Sequence, residues 1–284
     1  MLINTWQFWV IVYLISTVSF SQSFKVANRN MKNAGSLTVL LEVFTGIVSL
    51  LMMPVFDFKF SPSSSSILLL LVVVFIYAIT DRLNIEVRYG LDTSTFSVLK
   101  RLYTVFMIVF GFLFLNEEII LNKILGAIVI ILANIMLTYD KGKFRVNKYF
   151  IMGVISNFLF AIAMVLNVDI SSNYNLAFYT YITVTGPAIL ISLIGHHTIK
   201  DLKEEFNLYN KKYFLISTCT WAIMLNSSIR AYQLGSVTIV ASLFSLTPIL
   251  NALCEVIFFK DRSNFLKKII VSILLIIGVV LVNL

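Results

Sequence analysis

Ten apolar runs follow one another along this chain, most of them separated by only a few residues: Trp6–Ser23, Ser36–Phe56, Ile67–Arg88, Thr93–Leu115, Asn122–Tyr139, Tyr149–Val168, Leu176–Ile194, Tyr213–Leu234, Val237–Phe259 and Phe265–Val282. A helix needs about 20 apolar residues to cross a hydrocarbon core. The expectation is an all-α integral membrane protein of about ten transmembrane helices, with no room for a separate soluble domain. Composition agrees, with 59% apolar and 13% charged residues, against about 45–50% and 25% in soluble domains. The first run has neither a basic leading segment nor a small-residue cleavage site, so it is expected to stay as helix 1.

The net charge of +8 does not call for nucleic acid, because the basic residues alternate with the connections. The odd-numbered connections hold seventeen Lys and Arg and the even-numbered ones two, Lys59 and Lys123. The positive-inside rule then puts the odd connections in the cytoplasm and both termini on the non-cytoplasmic side of a plasma or inner membrane.

An internal repeat organises the ten runs. An offset of 144 residues lays Tyr89–Thr95 over Gln233–Ile239 and Glu117 over Asp261. The chain therefore reads as two five-helix units, 1–140 and 149–284, joined by a basic cytoplasmic connection, 141–148. An odd number of spans gives the two copies opposite orientations, and inverted repeats rocking about a central site are a transporter arrangement. In helix 4 the residues Ser94, Ser97, Lys100, Arg101 and Thr104 recur at helical spacing, as do Thr238, Ser242, Ser245 and Pro248 in helix 9. These two helices are expected to line a cavity. Helices 5 and 10, nearly all aliphatic, are expected to face lipid or another subunit.

At this point the residues LFLNEE…KILGAIVIILANIML, closing the first half, and SLFSLTPILNALCEVIFFKD in the second carry a resemblance. Two inverted five-helix repeats with a short acidic turn after the fourth helix resemble the EamA-type members of the drug/metabolite transporter superfamily. The resemblance covers essentially the whole chain. It implies a transporter fold and transport, and a substrate from a range that includes amino acids, nucleotide sugars, sugar phosphates and cationic drugs.

Within that frame, Lys100 and Arg101 are the leading candidates, since a cation at the bilayer centre costs about 2.5–3.5 kcal/mol on insertion scales and needs a partner, water or an anionic ligand. Glu42 sits at a similar depth in helix 2. Two readings stay open: an ion pair of Glu42 with Lys100 or Arg101 that only orients helices, or one cation held by Glu42 and the other bound to the substrate's carboxylate or phosphate. Arg101 suits a bidentate anion. Thr104, Ser97, Ser245, Trp221, Asn226 and Tyr179 complete the expected substrate site, with Ser227, Ser228, Tyr181 and Asn157 as further cavity residues. Asp81, Arg82, Glu86 and Arg230 are expected to gate or couple, with Arg82 and Glu86 paired four residues apart; a network closing the cytoplasmic end of helix 3 is the alternative.

Other features point to structure. Cys219 and Cys254 have no metal or disulfide pattern; His196 and His197 read as a solvated loop pair; Glu255 reads as an interfacial partner; Pro187 and Pro248 are candidate kinks. No catalytic motif is present, and no metal or cofactor is implied. The sequence supports a secondary-active transporter of a small anionic or zwitterionic metabolite by alternating access, not an enzyme. The alternative is a membrane scaffold with a degenerate transporter fold. Coupling to a proton or counter-solute, and a homodimer, are left open.

Overall fold

The computed structural model describes residues 4–27, 30–91, 99–100, 102–115, 118, 120–138, 147–247, 249–251, 253–254 and 265–283. Ser94, Ser97, Arg101, Glu117, Pro248, Glu255 and Asp261 lie outside them. The described residues form an all-α membrane protein of two repeats. Its helices are α1 (Trp6–Ala27), α2 (Ala34–Leu51), α3 (Ser64–Gly90), α4 (Leu102–Phe114), α5 (Leu121–Thr138), α6 (Lys148–Ile170), α7 (Leu176–Ile194), α8 (Ile199–Asn207), α9 (Lys211–Leu234), α10 (Val237–Phe244) and α11 (Phe265–Asn283). Of these, α1, α2, α3, α6 and α7 are long and apolar enough to cross a membrane, and α4, α5, α10 and α11 are shorter apolar helices. The 24-residue α9 is long enough but more polar, with Ser217, Thr218, Asn226, Ser227 and Ser228 buried.

The helices start where side chains finish their first turns. Asn33, Ser63, Asn147, Asn175, Thr198, Asn210 and Ser236 each accept a hydrogen bond from a backbone N–H in the following turn. Such a cap satisfies a donor that the helix itself leaves open. Between the basic His197–Lys200 turn and Asn210, α8 is a short amphipathic helix closed by a reciprocal Thr198–Asp201 capping box.

Packing exchanges partners between the repeats. α2 lies on its counterpart α7, α4 on α10 and α5 on α11, while α1 packs chiefly on α9 and α6 chiefly on α3. Small residues set the closest approaches. A Cβ on Gly46 would fall 2.4 Å from Thr185 Cγ2, and one on Gly126 would fall 2.6 Å from the Gly278 carbonyl oxygen. The α5–α11 pair turns Leu121, Leu125, Ile128 and Leu132, with Ile273, Ile276 and Val280, outward, the apolar outer face expected of it.

Each end of the bundle is tied across the repeats. At one end Glu205 on α8, 3% exposed, accepts from Lys32 N and Asn33 N at 2.9 Å each and from Tyr209 OH at 3.0 Å. At the other, Asn175 Nδ2 donates to the carbonyls of Met53, Phe56 and Asp57 at 3.1–3.2 Å. The expected solvated histidine pair divides. His196 is exposed with φ 51°, whereas His197 is half-buried and its Nδ1 lies 3.3 Å from Ser36 Oγ. Gly35 and Gly195 leave the space its ring occupies.

Candidate functional site

Five helices converge on a central pocket of about 500 Å³ including space open to solvent. Each helix contributes a stripe at helical spacing: Glu42 from α2, Tyr77 and Asp81 from α3, Phe160, Met164 and Asn167 from α6, Thr180, Thr183 and Val184 from α7, and Trp221, Leu225, Ser228 and Ile229 from α9. Both repeats line it. Offsetting by the repeat pairs Tyr77 with Trp221 and Asp81 with Leu225, so the acidic side belongs to the first half.

The walls are held by hydrogen bonds between helices. Tyr179 OH donates to Asn167 Oδ1 at 2.6 Å, and Asn167 Nδ2 donates to Tyr77 OH. Behind them Thr180 Oγ1 donates to Asn226 Oδ1 at 3.0 Å, and Asn226 Nδ2 donates to Ser49 Oγ and the Ala222 carbonyl, both at 2.9 Å. These chains link α3 to α6 and α7, and α2 to α7 and α9.

The base of the pocket is acidic. Glu42 is 2% exposed, and among the described residues no N–H or O–H reaches its Oε2. Asp81 lines the same pocket, and the two carboxyls act on one another. Lys100 acts electrostatically on Asp81 as well. Lys100 is also not inside an unbroken helix. Leu99 is helical, Lys100 is in a turn and α4 begins at Leu102, which frees the lysine from the apolar face of α4. Arg101 lies outside the described residues.

The other expected site residues divide by position. Trp221 and Ser228 line the pocket. Asn226 and Tyr179 are fully buried behind it, as members of the bonded walls. Asn157 bonds its own helix at Gly153 O, 2.7 Å away, and Ser227 does the same at Ile223 O. Thr104 and Ser245 are buried in α4 and just after α10 and do not appear among the described lining. The described lining comes from α2, α3, α6, α7 and α9. Ser97 lies outside the described residues. Sequence reasoning missed Tyr77, Phe160, Met164, Asn167, Thr180 and Thr183; the available signal was the i, i+4 spacing of Tyr77 and Asp81 and the i, i+4, i+7 spacing on α6.

Arg82 Nε donates to Glu86 Oε1 at 3.3 Å, forming the expected surface ion pair, and Asp81 points away from it into the pocket. Arg230 lies at the opposite end of the bundle, in a second cavity of about 1100 Å³ including open solvent. There its Nη2 is 4.0 Å from Asp57 Oδ2, and its Nη1 donates to Gln233 Oε1 at 3.1 Å. Val168 lines this cavity while its neighbour Asn167 lines the central pocket. The two spaces thus border the same stretch of α6.

Comparison with known proteins gives the same architecture. The family model described as "EamA-like transporter family" matches twice, over residues 7–139 and 147–284. No curated protein matches the chain. A solved structure described only as "Crystal structure of protein" is similar over 96% of this chain and 94% of its own, with a TM-score of 0.75 at 12% identity. At that identity the likeness speaks for the fold.

Proposed function

The chain belongs to the EamA-like transporter family, and from that premise we propose that it is a secondary-active carrier of a small zwitterionic metabolite, working by alternating access. One observation carries the reading: a central pocket lined by both repeats, with the carboxyls of Glu42 and Asp81 in its lining. Charges buried at membrane depth mark solute or ion pathways. Repeats that share a site in this way are the parts that rock about it. The acidic base favours the zwitterionic over the purely anionic solute. The second cavity, at Arg230 and bordering the same stretch of α6, supports a path that continues to that end of the bundle. Coupling to a proton or to a counter-solute belongs to the same proposal.

Purified protein in liposomes tests it. The expected result is saturable, counter-solute-stimulated uptake of at least one labelled amino acid. No flux or exchange across a panel of amino acids, amines and carboxylates would overturn the reading.

A further inference from the structure

Taking the central pocket as the solute site, we infer that Glu42 and Asp81 form an ammonium-binding subsite at its base, so that the solute presents a protonated amine to the first repeat. Two acidic residues alone would not make such a site. The second observation is an open hydrogen-bonding position. Glu42 is almost completely buried, lines the pocket, and its Oε2 receives no donor from the described residues.

The neighbouring polar groups are already committed. Asn167 is bonded to Tyr77 and Tyr179, Thr180 to Asn226, Thr183 to the Tyr179 and Thr180 carbonyls, and Ser228 to the Leu225 carbonyl. Those hydroxyls spend their hydrogens within the walls, and Glu42 Oε2 is a carboxyl acceptor that no donor of the described residues occupies. A carboxylate arriving there meets two carboxyls and no Lys or Arg among the described lining residues. An ammonium meets two acceptors.

Charge and shape agree. An arriving ammonium can take the place of a proton shared by the two neighbouring carboxyls, so that the pair then offers it two charged acceptors. Tyr77, Phe160 and Trp221 supply aromatic walls, whose ring faces attract a cation. In the second repeat Leu225 and Val184 line the corresponding side, so the rest of the solute lies toward an apolar wall.

Isothermal titration of the full-length purified protein with n-butylammonium, using n-butanol and butyrate as neutral and anionic isosteres, is the direct test. The amine is expected to bind about tenfold or more tightly than either isostere, and Glu42→Gln to weaken amine binding by a similar factor, as the loss of one charge-assisted bond predicts. Asp81→Asn carries the same expectation and serves where Glu42→Gln fails to fold; Glu42→Asp, keeping the charge, should recover part of the loss. Equal binding of n-butanol, preference for butyrate, or amine binding unchanged in both neutral variants overturns the subsite. Its failure is separable from that of the transport reading: butyrate flux in liposomes that survives Glu42→Gln removes the subsite and leaves transport. Amine binding without flux does the reverse.

Discussion

Buried amides illustrate how a residue can be prominent in the sequence and yet do something other than expected. Asn226 stands out in an apolar helix and was expected to touch solute, but its oxygen and nitrogen are both spent on Thr180, Ser49 and Ala222. Replacing it with Leu leaves the Thr180 hydroxyl without its acceptor, and an unsatisfied buried polar group costs about 1–3 kcal/mol. Thermal unfolding in detergent should show Asn226→Leu less stable by that amount, and an unchanged midpoint would mean the bonds are replaced. Asp81 was legible as important and misplaced: the Arg82–Glu86 pair beside it drew attention to the helix surface, whereas its own partner at helical spacing, Tyr77, marked the pocket side. Glu42 was legible as a buried charge, but a single sequence does not say which charge it meets. That depends on how α2 and α3 are rotated.

At the scale of elements, most helix starts were written in the chain as Asn, Ser or Thr one to four residues before the first apolar position. The apolar run alone put the start of α2 at Ser36 and of α6 at Tyr149, inside the true caps Asn33 and Asn147. The start of α4 was not legible, because an apolar run continues through the break at Lys100 without a proline or glycine to mark it. In α8 the Thr198 hydroxyl and backbone hold the Asp201 carboxyl below its usual range. A depressed acid contributes stability above its unfolded value and loses it as pH falls through the folded one. Hydrogen exchange across Glu204–Leu208 should therefore rise only in strong acid, and Asp201→Asn should remove that pH dependence. Thr198→Ala should speed the same exchange at neutral pH, by the equivalent of about 1 kcal/mol for a lost cap. If neither variant changes exchange, α8 is held by Glu205 and not by its cap. On the far side of the bundle, Gly126→Val forces α5 off the Gly278 carbonyl. It should lower thermal stability, while the exposed Ile128→Val should not.

For the whole molecule, the repeat made the two-unit architecture legible, but the offset does not reveal that the units exchange partners. The main packing surface of α1 is α9 and that of α6 is α3, so residues 1–140 produced alone should not give a protease-resistant membrane domain. Co-expressed with 149–284 they should, and a stable isolated first half would contradict the packing. The orientation proposed from the charge count has a direct test: a cysteine introduced beside Lys143 should be labelled from the cytoplasm, and labelling from outside would reverse it. The exchange of partners also has a consequence in time. During synthesis α1 is made before α2 to α8, yet its chief neighbour starts at Lys211, so it must wait among lipids while the intervening chain is made. Quality control that acts on early helices would meet this protein as a set of unpaired spans. The arrival of α9 is then the event that turns those spans into a carrier.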